Sequence, residues 1–371
     1  MNILIDLSIL RHPHCGLGQI ALNYGRWYGR HADGLGRQER VTLLVPAEYV
    51  GAFGTGVDYL PTRTVYRYMP WLLPGFDVWH SIHQLSPFRP RRGARRILTI
   101  HDLNFLYEKH GAKQRRYLDR LQRECDSATE VCFISQFARS EAVSHLDLQG
   151  KRLHTIYNGV EDMTVGPLQR PQGVDETKPF LLCMGMVKAK KNVHTLLPMM
   201  DLLPEYNLVV AGPDGDPYAQ RLRHELGTHP NVTMTGTVSD EERRWLYAHC
   251  VGLVMPSVAE GFGLPVIEAM QWGKAVFASR CTSLPEIGAE CAAYFPDFSP
   301  EAMAATVRQG LASRTADDTQ AAIRHAAQFD YESHMRQYWQ LYRHCGAEHA
   351  EPKNSSRLKK NQNKTKQVTK K

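Results

Sequence analysis

Residues 256–270 read PSVAEGFGLPVIEAM, and their order decides the fold. The stretch follows an apolar run ending Leu253-Val254-Met255, which reads as a buried strand. A turn, Glu260-Gly261-Phe262-Gly263, comes next. Leu264-Pro265 then opens a helical pattern, since proline loses no donor in a first helical turn. Strand, turn and helix in that order form a piece of a parallel α/β sheet. Gly261 and Gly263 allow backbone N–H groups to approach a ligand closely. The helix start adds free N–H groups and a positive dipole end, suited to a diphosphate. Glu260 and Glu268 can stand one on each side of an anion held there, and carboxylates accept hydrogen bonds from sugar hydroxyls. The set reads as recognition of a sugar, a diphosphate and a ribose. The plainer alternative is a strand–turn–helix with two solvated glutamates.

The same alternation runs through the chain. Its 371 residues suggest two domains. Candidate strands fall at 2–7, 41–45, 78–80, 96–100, 130–134 and 153–156, and again at 180–184, 207–211, 232–235, 252–255, 275–278 and 292–295. Amphipathic stretches lie at 113–127, 135–147, 217–226, 241–250 and 264–272. Two such series imply two doubly wound parallel sheets, with ligands beyond the carboxyl ends of the strands. Gly, Pro, Asp and Gln accumulate between 159 and 175, which marks the boundary.

Three other segments carry chemistry. CMGMVKAKKNVHTLL (183–197) reads as a strand ending at Gly185, a basic loop and a helix from about Asn192. Lys188, Lys190 and Lys191 sit where a diphosphate would be neutralised; the alternative is a solvated basic loop. HPHCGLGQIALNYG (12–25) contains Gly16-Leu17-Gly18, a glycine loop that also fits the dinucleotide pattern G-x-G-x-x-A. Eight residues separate Leu7 from Gly16, too many for the tight strand–glycine junction of a dinucleotide site. A structural turn is the third reading. ILTIHDLNF (97–105) ends a strand at Ile100 and places His101 in the following loop, aimed at the ligand edge of the sheet. Asp102 is a helix cap or a supporting group rather than a base.

With these segments the chain resembles the retaining GT-B glycosyltransferases, specifically the family 4 group, over nearly all of residues 1–346. The strongest element is E-x7-E within EGFGLPVIEAM. IYNGV, AGPDG and SLPE are weaker echoes, with Glu286 read as a turn or cap residue and Ser135 as a helix N-cap. The resemblance implies an α/β GT-B fold: two Rossmann-like lobes facing a cleft. Residues 1–165 would form an acceptor lobe and 166–328 a nucleotide-sugar lobe. Residues 329–346 would be a helix crossing back to the first lobe, and 347–371 a disordered basic tail. It implies donor contacts from Gly16, Gly18, Gly185, Lys190, Lys191, Ser257, Glu260, Gly261, Phe262, Gly263, Leu264 and Glu268, with His101, Lys191 and Glu260 as the catalytic positions. Glu260 would hold the hexose hydroxyls and Glu268 the ribose. Met186 stands where the family usually has an arginine, while Lys191 matches its lysine.

The implied activity is transfer of a hexose, a mannose-type donor leading, from UDP or GDP to a saccharide or lipid-linked acceptor in lipopolysaccharide, O-antigen or capsule assembly. No DxD motif is evident, so no metal and no other cofactor is expected. The competing classes are a non-catalytic GT-B scaffold and a dinucleotide oxidoreductase.

Charge bounds the partners. The formal charge is +7, yet 353–371 carry eight basic residues and no acid. The body divides into +5 for 1–165 and −6 for 166–352, which argues against a specific nucleic-acid partner. No apolar run approaches the ~20 residues of a membrane span, and no signal peptide is expected. Eight scattered cysteines suit a reducing cytoplasm. A basic amphipathic helix at 113–123 would either lie on an anionic inner-membrane surface or pack into its own lobe with solvated arginines.

Overall fold

The computed structural model describes residues 1–13, 16–31 and 39–350, with side chains to 347. Cys15 and the tail beyond 350 lie outside the described residues. Two parallel sheets organise the chain. The first contains β1 (Asn2–Asp6), β2 (Arg40–Val45), β3 (Asp58–Pro61), β4 (Val78–Ser81), β5 (Arg95–Ile100), β6 (Glu130–Phe133) and β7 (Arg152–Thr155). Its order is β3-β2-β1-β4-β5-β6-β7. The second contains β8 (Phe180–Met184), β9 (Asn207–Ala211), β10 (Val232–Gly236), β11 (Gly252–Met255), β12 (Ala275–Ala278) and β13 (Ala293–Tyr294). Its order is β10-β9-β8-β11-β12-β13. Both orders reverse direction beside their first strand, the doubly wound pattern whose reversal point opens a crevice.

By contact density the chain forms two units. One comprises Met1–Thr99, Ser127–Val131 and the chain from Gln337; the other comprises Ile100–Asp126 and Cys132–Arg336. The expected divide at 165/166 lies inside the second unit, within the 156–179 interval that separates the sheets.

In the second unit, β8 is buried along its whole length and β11 likewise, as strands covered on both faces must be. Apolar clusters line the two faces, one around Leu182, Val209, Leu253 and Ile267, the other around Leu181, Val210, Val254 and Phe277. In the first unit, the far part of the Tyr331–Ala350 helix packs against β4 and β5. Tyr342 Oη lies 2.6 Å from His80 Nδ1 and Tyr338 Oη lies 3.0 Å from Thr99 Oγ1. The helix continues through 346, where the sequence reading placed its end.

The N-terminal glycine segment is not a loop. Gly16 is the first residue of a helix, Gly16–His31. A Cβ on Gly18 would fall 2.2 Å from the His12 carbonyl oxygen, so this glycine lets the first turn pack on the preceding backbone. A second difference lies after β8. Two 3-10 turns, Ala189–Lys191 and Val193–Thr195, precede the helix Leu196–Asp201, which therefore starts later than Asn192. Asn192 joins the two turns in the left-handed region, with φ 57°.

Candidate active site

Pairing of β8 with β11 places Leu181 beside Gly252 and Leu182 beside Leu253. Their carboxyl ends, Met184 and Met255, therefore release two neighbouring loops at the reversal point of the second sheet. Val258 N donates to Lys190 O at 2.8 Å and ties these loops together. Across them Lys191 Nζ meets Glu260 Oε1 at 2.5 Å, with the lysine and glutamate side chains only 16% and 10% exposed. Gly185, directly after β8, has φ 131°, a conformation that favours glycine, and its Cα lies beside the Lys191 side chain. Lys190 Nζ reaches Glu108 Oε1 at 3.4 Å.

The turn around Glu260 is held from three sides. Its N–H donates to Thr282 Oγ1 at 2.9 Å, and its carbonyl accepts from Ser283 Oγ at 3.1 Å. Thr282 has φ 53°, uncommon for a β-branched residue, and so marks a backbone constrained by its surroundings. Ser135 Oγ donates to Gly261 O at 2.9 Å. A Cβ on Gly261 would fall 2.5 Å from the His101 carbonyl oxygen and 2.9 Å from Asp102 Cβ. Gly261 thus lets the His101-Asp102 segment, which follows β5, lie directly against the turn. His101 is 5% exposed. Asp102 Oδ1 accepts from Asn104 N at 2.9 Å, a local turn ahead of the helix Phe105–Glu108, whose N-cap residue is Asn104 and not Asp102. Glu141 Oε1 accepts from Tyr107 Oη at 2.5 Å, and burial raises its carboxyl above the usual range.

Gly263, with φ 107°, caps the helix Leu264–Gln271, and Leu264 is its first residue. Phe262 turns its ring into the core, 5.7 Å from Phe329. Ser257 is 1% exposed, and its hydroxyl has no hydrogen-bond partner among the described residues. Glu268 lies one turn into the helix and is buried. Its Oε2 accepts from Tyr247 Oη at 2.6 Å and its Oε1 pairs with Arg243. Burial, the largest single influence, would lower the Arg243 pKa, but the charges of Glu268, Tyr247 and Asp240 and the hydrogen bond to Glu268 together raise it. Burial and the same carboxylate push Tyr247 well above its ordinary value.

His101, Gly185, Lys190, Lys191, Ser257, Glu260–Gly263, Leu264 and Glu268 thus all belong to the second unit, on its loops after β5, β8 and β11 and the helix that follows β11. Gly16 and Gly18 belong to the first. Arg243, Tyr247, Thr282 and Glu108 were missed by the sequence reading. Only Arg243 and Tyr247 left a signal there: four residues apart on the Asp240–His249 helix, they share a face. Chemically, the loops present ammonium groups, a carboxylate and glycine backbone together, as a polyhydroxylated anion requires. Among the described residues no group of three or more His, Cys, Asp or Glu side chains could hold a metal ion.

Comparison with known proteins accounts for this arrangement. The family model described as "Glycosyltransferase Family 4" matches residues 26–163, and that described as "Glycosyl transferases group 1" matches 167–329. The O-antigen chain mannosyltransferase B of Escherichia coli is 29% identical over 301 residues, covering 75% of this chain and 77% of that protein. The serotype-specific mannosyltransferase WbdA of Escherichia coli is 32% identical over 197 residues, 48% of this chain and 24% of that much longer protein. The solved sucrose-phosphate synthase of Thermosynechococcus elongatus shares the fold with a TM-score of 0.73 at 19% identity, covering 94% of this chain and 99% of that one. Two family models matched in succession, on two parallel-sheet lobes, establish that the chain belongs to the group 1, family 4 glycosyltransferases of GT-B fold, enzymes that use nucleotide sugars.

Proposed function

We propose that this chain moves a mannose-type hexose from UDP or GDP to a saccharide or lipid-linked saccharide acceptor in O-antigen assembly, with retention at the anomeric carbon. The observation that carries the reading is the Lys191–Glu260 pair, 2.5 Å long, on the two loops at the sheet's reversal point. The sugar and the pathway rest on the Escherichia coli relatives, which are named as mannosyltransferases, one of them of the O-antigen chain.

As the glycosidic bond breaks, the leaving nucleoside diphosphate gains negative charge. Fixed ammonium groups at Lys190 and Lys191 lower that barrier without reorganising. The bond from the anomeric carbon to phosphate oxygen breaks while the acceptor oxygen bonds to the same face, and the acceptor proton passes to the leaving phosphate. Glu260 then acts by holding hexose hydroxyls, and His101 by contacting the sugar beside the reacting carbon. Gly16 and Gly18 line the phosphate and acceptor side, and Glu268 holds the ribose. The reaction needs no metal, and it takes place in the cytoplasm, where the seven free cysteines among the described residues stay reduced.

The test is thermal stabilisation by UDP, GDP, UDP-glucose, UDP-galactose, UDP-N-acetylglucosamine and GDP-mannose. A mannose nucleotide should raise the melting temperature beyond its nucleoside diphosphate, and Glu260→Ala should erase that difference. A sugar-dependent increment that survives Glu260→Ala contradicts the assignment. Turnover abolished by EDTA and restored by magnesium or manganese contradicts the metal-free reading.

A further inference from the structure

The first unit carries a surface that the transfer chemistry leaves without a role. In residues 65–72, VYRYMPWL, Val65, Tyr68, Met69, Trp71 and Leu72 are 39%, 75%, 42%, 63% and 52% exposed. Five large apolar side chains turned outward within eight residues mark an interaction site. The local chain explains the division. Val65–Tyr68 is a single helical turn, and Pro70–Leu72 is a 3-10 turn begun by proline. Tyr66, Leu73 and Phe76 face inward and join Leu4, Leu44 and Trp79. The inward set anchors the segment, and the outward set is held away from the core.

Its surroundings are basic. From 59 to 101 Asp77 is the only acidic residue, against seven arginines. Asp77 Oδ2 already accepts from Asn2 N at 2.7 Å. Arg63, Arg67, Arg89, Arg91 and Arg92 are exposed, whereas Arg96 turns inward onto Ser81. The Arg67 guanidinium lies 5.5 Å from the Phe88 ring, which joins the apolar segment to the Arg89 side. A groove of about 300 Å³ lined by residues 75–77 and 91–94 sets Arg91 and Arg92 beside Gly75 and Phe76, which follow the segment in the chain.

We propose that this face docks on an anionic lipid bilayer. Tyr68, Met69, Trp71 and Leu72 enter the boundary between headgroups and acyl chains, and the five exposed arginines meet the headgroup phosphates. Tryptophan and tyrosine favour that boundary because one end of each ring system is apolar and the other hydrogen-bonds. Arginines just above it gain from the negative surface potential. A second copy of this chain is a poor occupant, because a two-fold contact would set the arginine cluster against itself. The helix Gly111–Asp126, the other basic amphipathic segment, lacks an apolar outer face. It buries Leu121 and sets the Tyr117 ring 5.5 Å from that of Phe105, leaving its arginines outward. Docking goes beyond the proposed transfer and does not depend on which donor is used.

The experiment is partition of the full chain onto vesicles of phosphatidylcholine, with and without phosphatidylglycerol. Binding should require phosphatidylglycerol. It should weaken about tenfold or more in Tyr68→Ser/Trp71→Ser/Leu72→Ser and about a hundredfold in Arg89→Gln/Arg91→Gln/Arg92→Gln. Stabilisation by the donor, measured on the same variants, should persist and reports that they are folded. Brominated acyl chains should quench a part of the tryptophan emission that Trp71→Phe removes. Binding that ignores both triple variants overturns the proposal, including the case in which it vanishes once the eight tail cations become glutamine. Quenching unchanged by Trp71→Phe overturns it as well. So does emission at Trp71 that responds to soluble oligomannose and not to lipid, which would assign the surface to glycan.

Discussion

Lys191 and Glu260 are oppositely charged, close and nearly sealed from water, so each makes the other's burial tolerable. Removing one partner leaves the other charge stranded. Lys191→Met should therefore destabilise the protein by on the order of 3 kcal/mol. Lys191→Met/Glu260→Gln should recover most of that loss in urea unfolding, yet stay inactive. Equal destabilisation by the single and double variants would show that the pair is not coupled. A second residue sets the response to acid. His334 is buried, and its Nδ1 lies 2.6 Å from the Tyr157 carbonyl oxygen. Burial lowers its pKa from 6.5 to about 4. The unfolded chain therefore binds the extra proton first. Stability that is complete above pH 6.5 should drain away as pH falls toward about 4, by on the order of 3 kcal/mol. His334→Asn, which keeps a donor for Tyr157, should flatten that slope in unfolding measured across the window; an unchanged slope contradicts the assignment.

Among the elements, Glu286 shows how a distant carboxylate fixes a helix. Its two oxygens accept from Gln136 N at 2.7 Å and Phe137 N at 2.9 Å, the first N–H groups of the Gln136–His145 helix. Ser135 caps the same end by accepting from Ala138 N at 3.0 Å. Glu286→Ala should cost about 1–2 kcal/mol of unfolding free energy. Glu286→Gln should recover less than half, since one carbonyl oxygen replaces two charged acceptors; a loss below a few tenths would mean that Ser135 suffices. Elements were legible where burial was continuous: FLLCM and GLVM have no polar residue to suggest a turn, and both strands sit where the apolar runs placed them. DYLP was not legible. It is an edge strand that begins with an exposed aspartate, is only half-buried and ends in proline, so its composition is that of a loop. The Gly16–His31 helix was hidden by glycines whose purpose is close approach, a tertiary requirement that composition reports as flexibility.

At the scale of the molecule, the site was legible to the extent that one motif contained it. Glu260, Gly261 and Gly263 are local to a single turn, and the loop of Lys190 and Lys191 leaves the neighbouring strand. Arg243 and Tyr247 act on Glu268 from another helix, and Thr282 on Glu260 from beyond β12, so only the fold brings them together. The wiring gathers Lys190, Lys191 and Glu260 at the reversal point of one sheet, and under the proposed function Lys191 meets the charge of a leaving group. Release of nucleoside diphosphate from a mannose nucleotide, compared between the natural chain and Lys191→Met, tests that claim most directly. The account predicts release by the natural chain and a fall of about a hundredfold or more in the variant. Release at the same rate in both would contradict it.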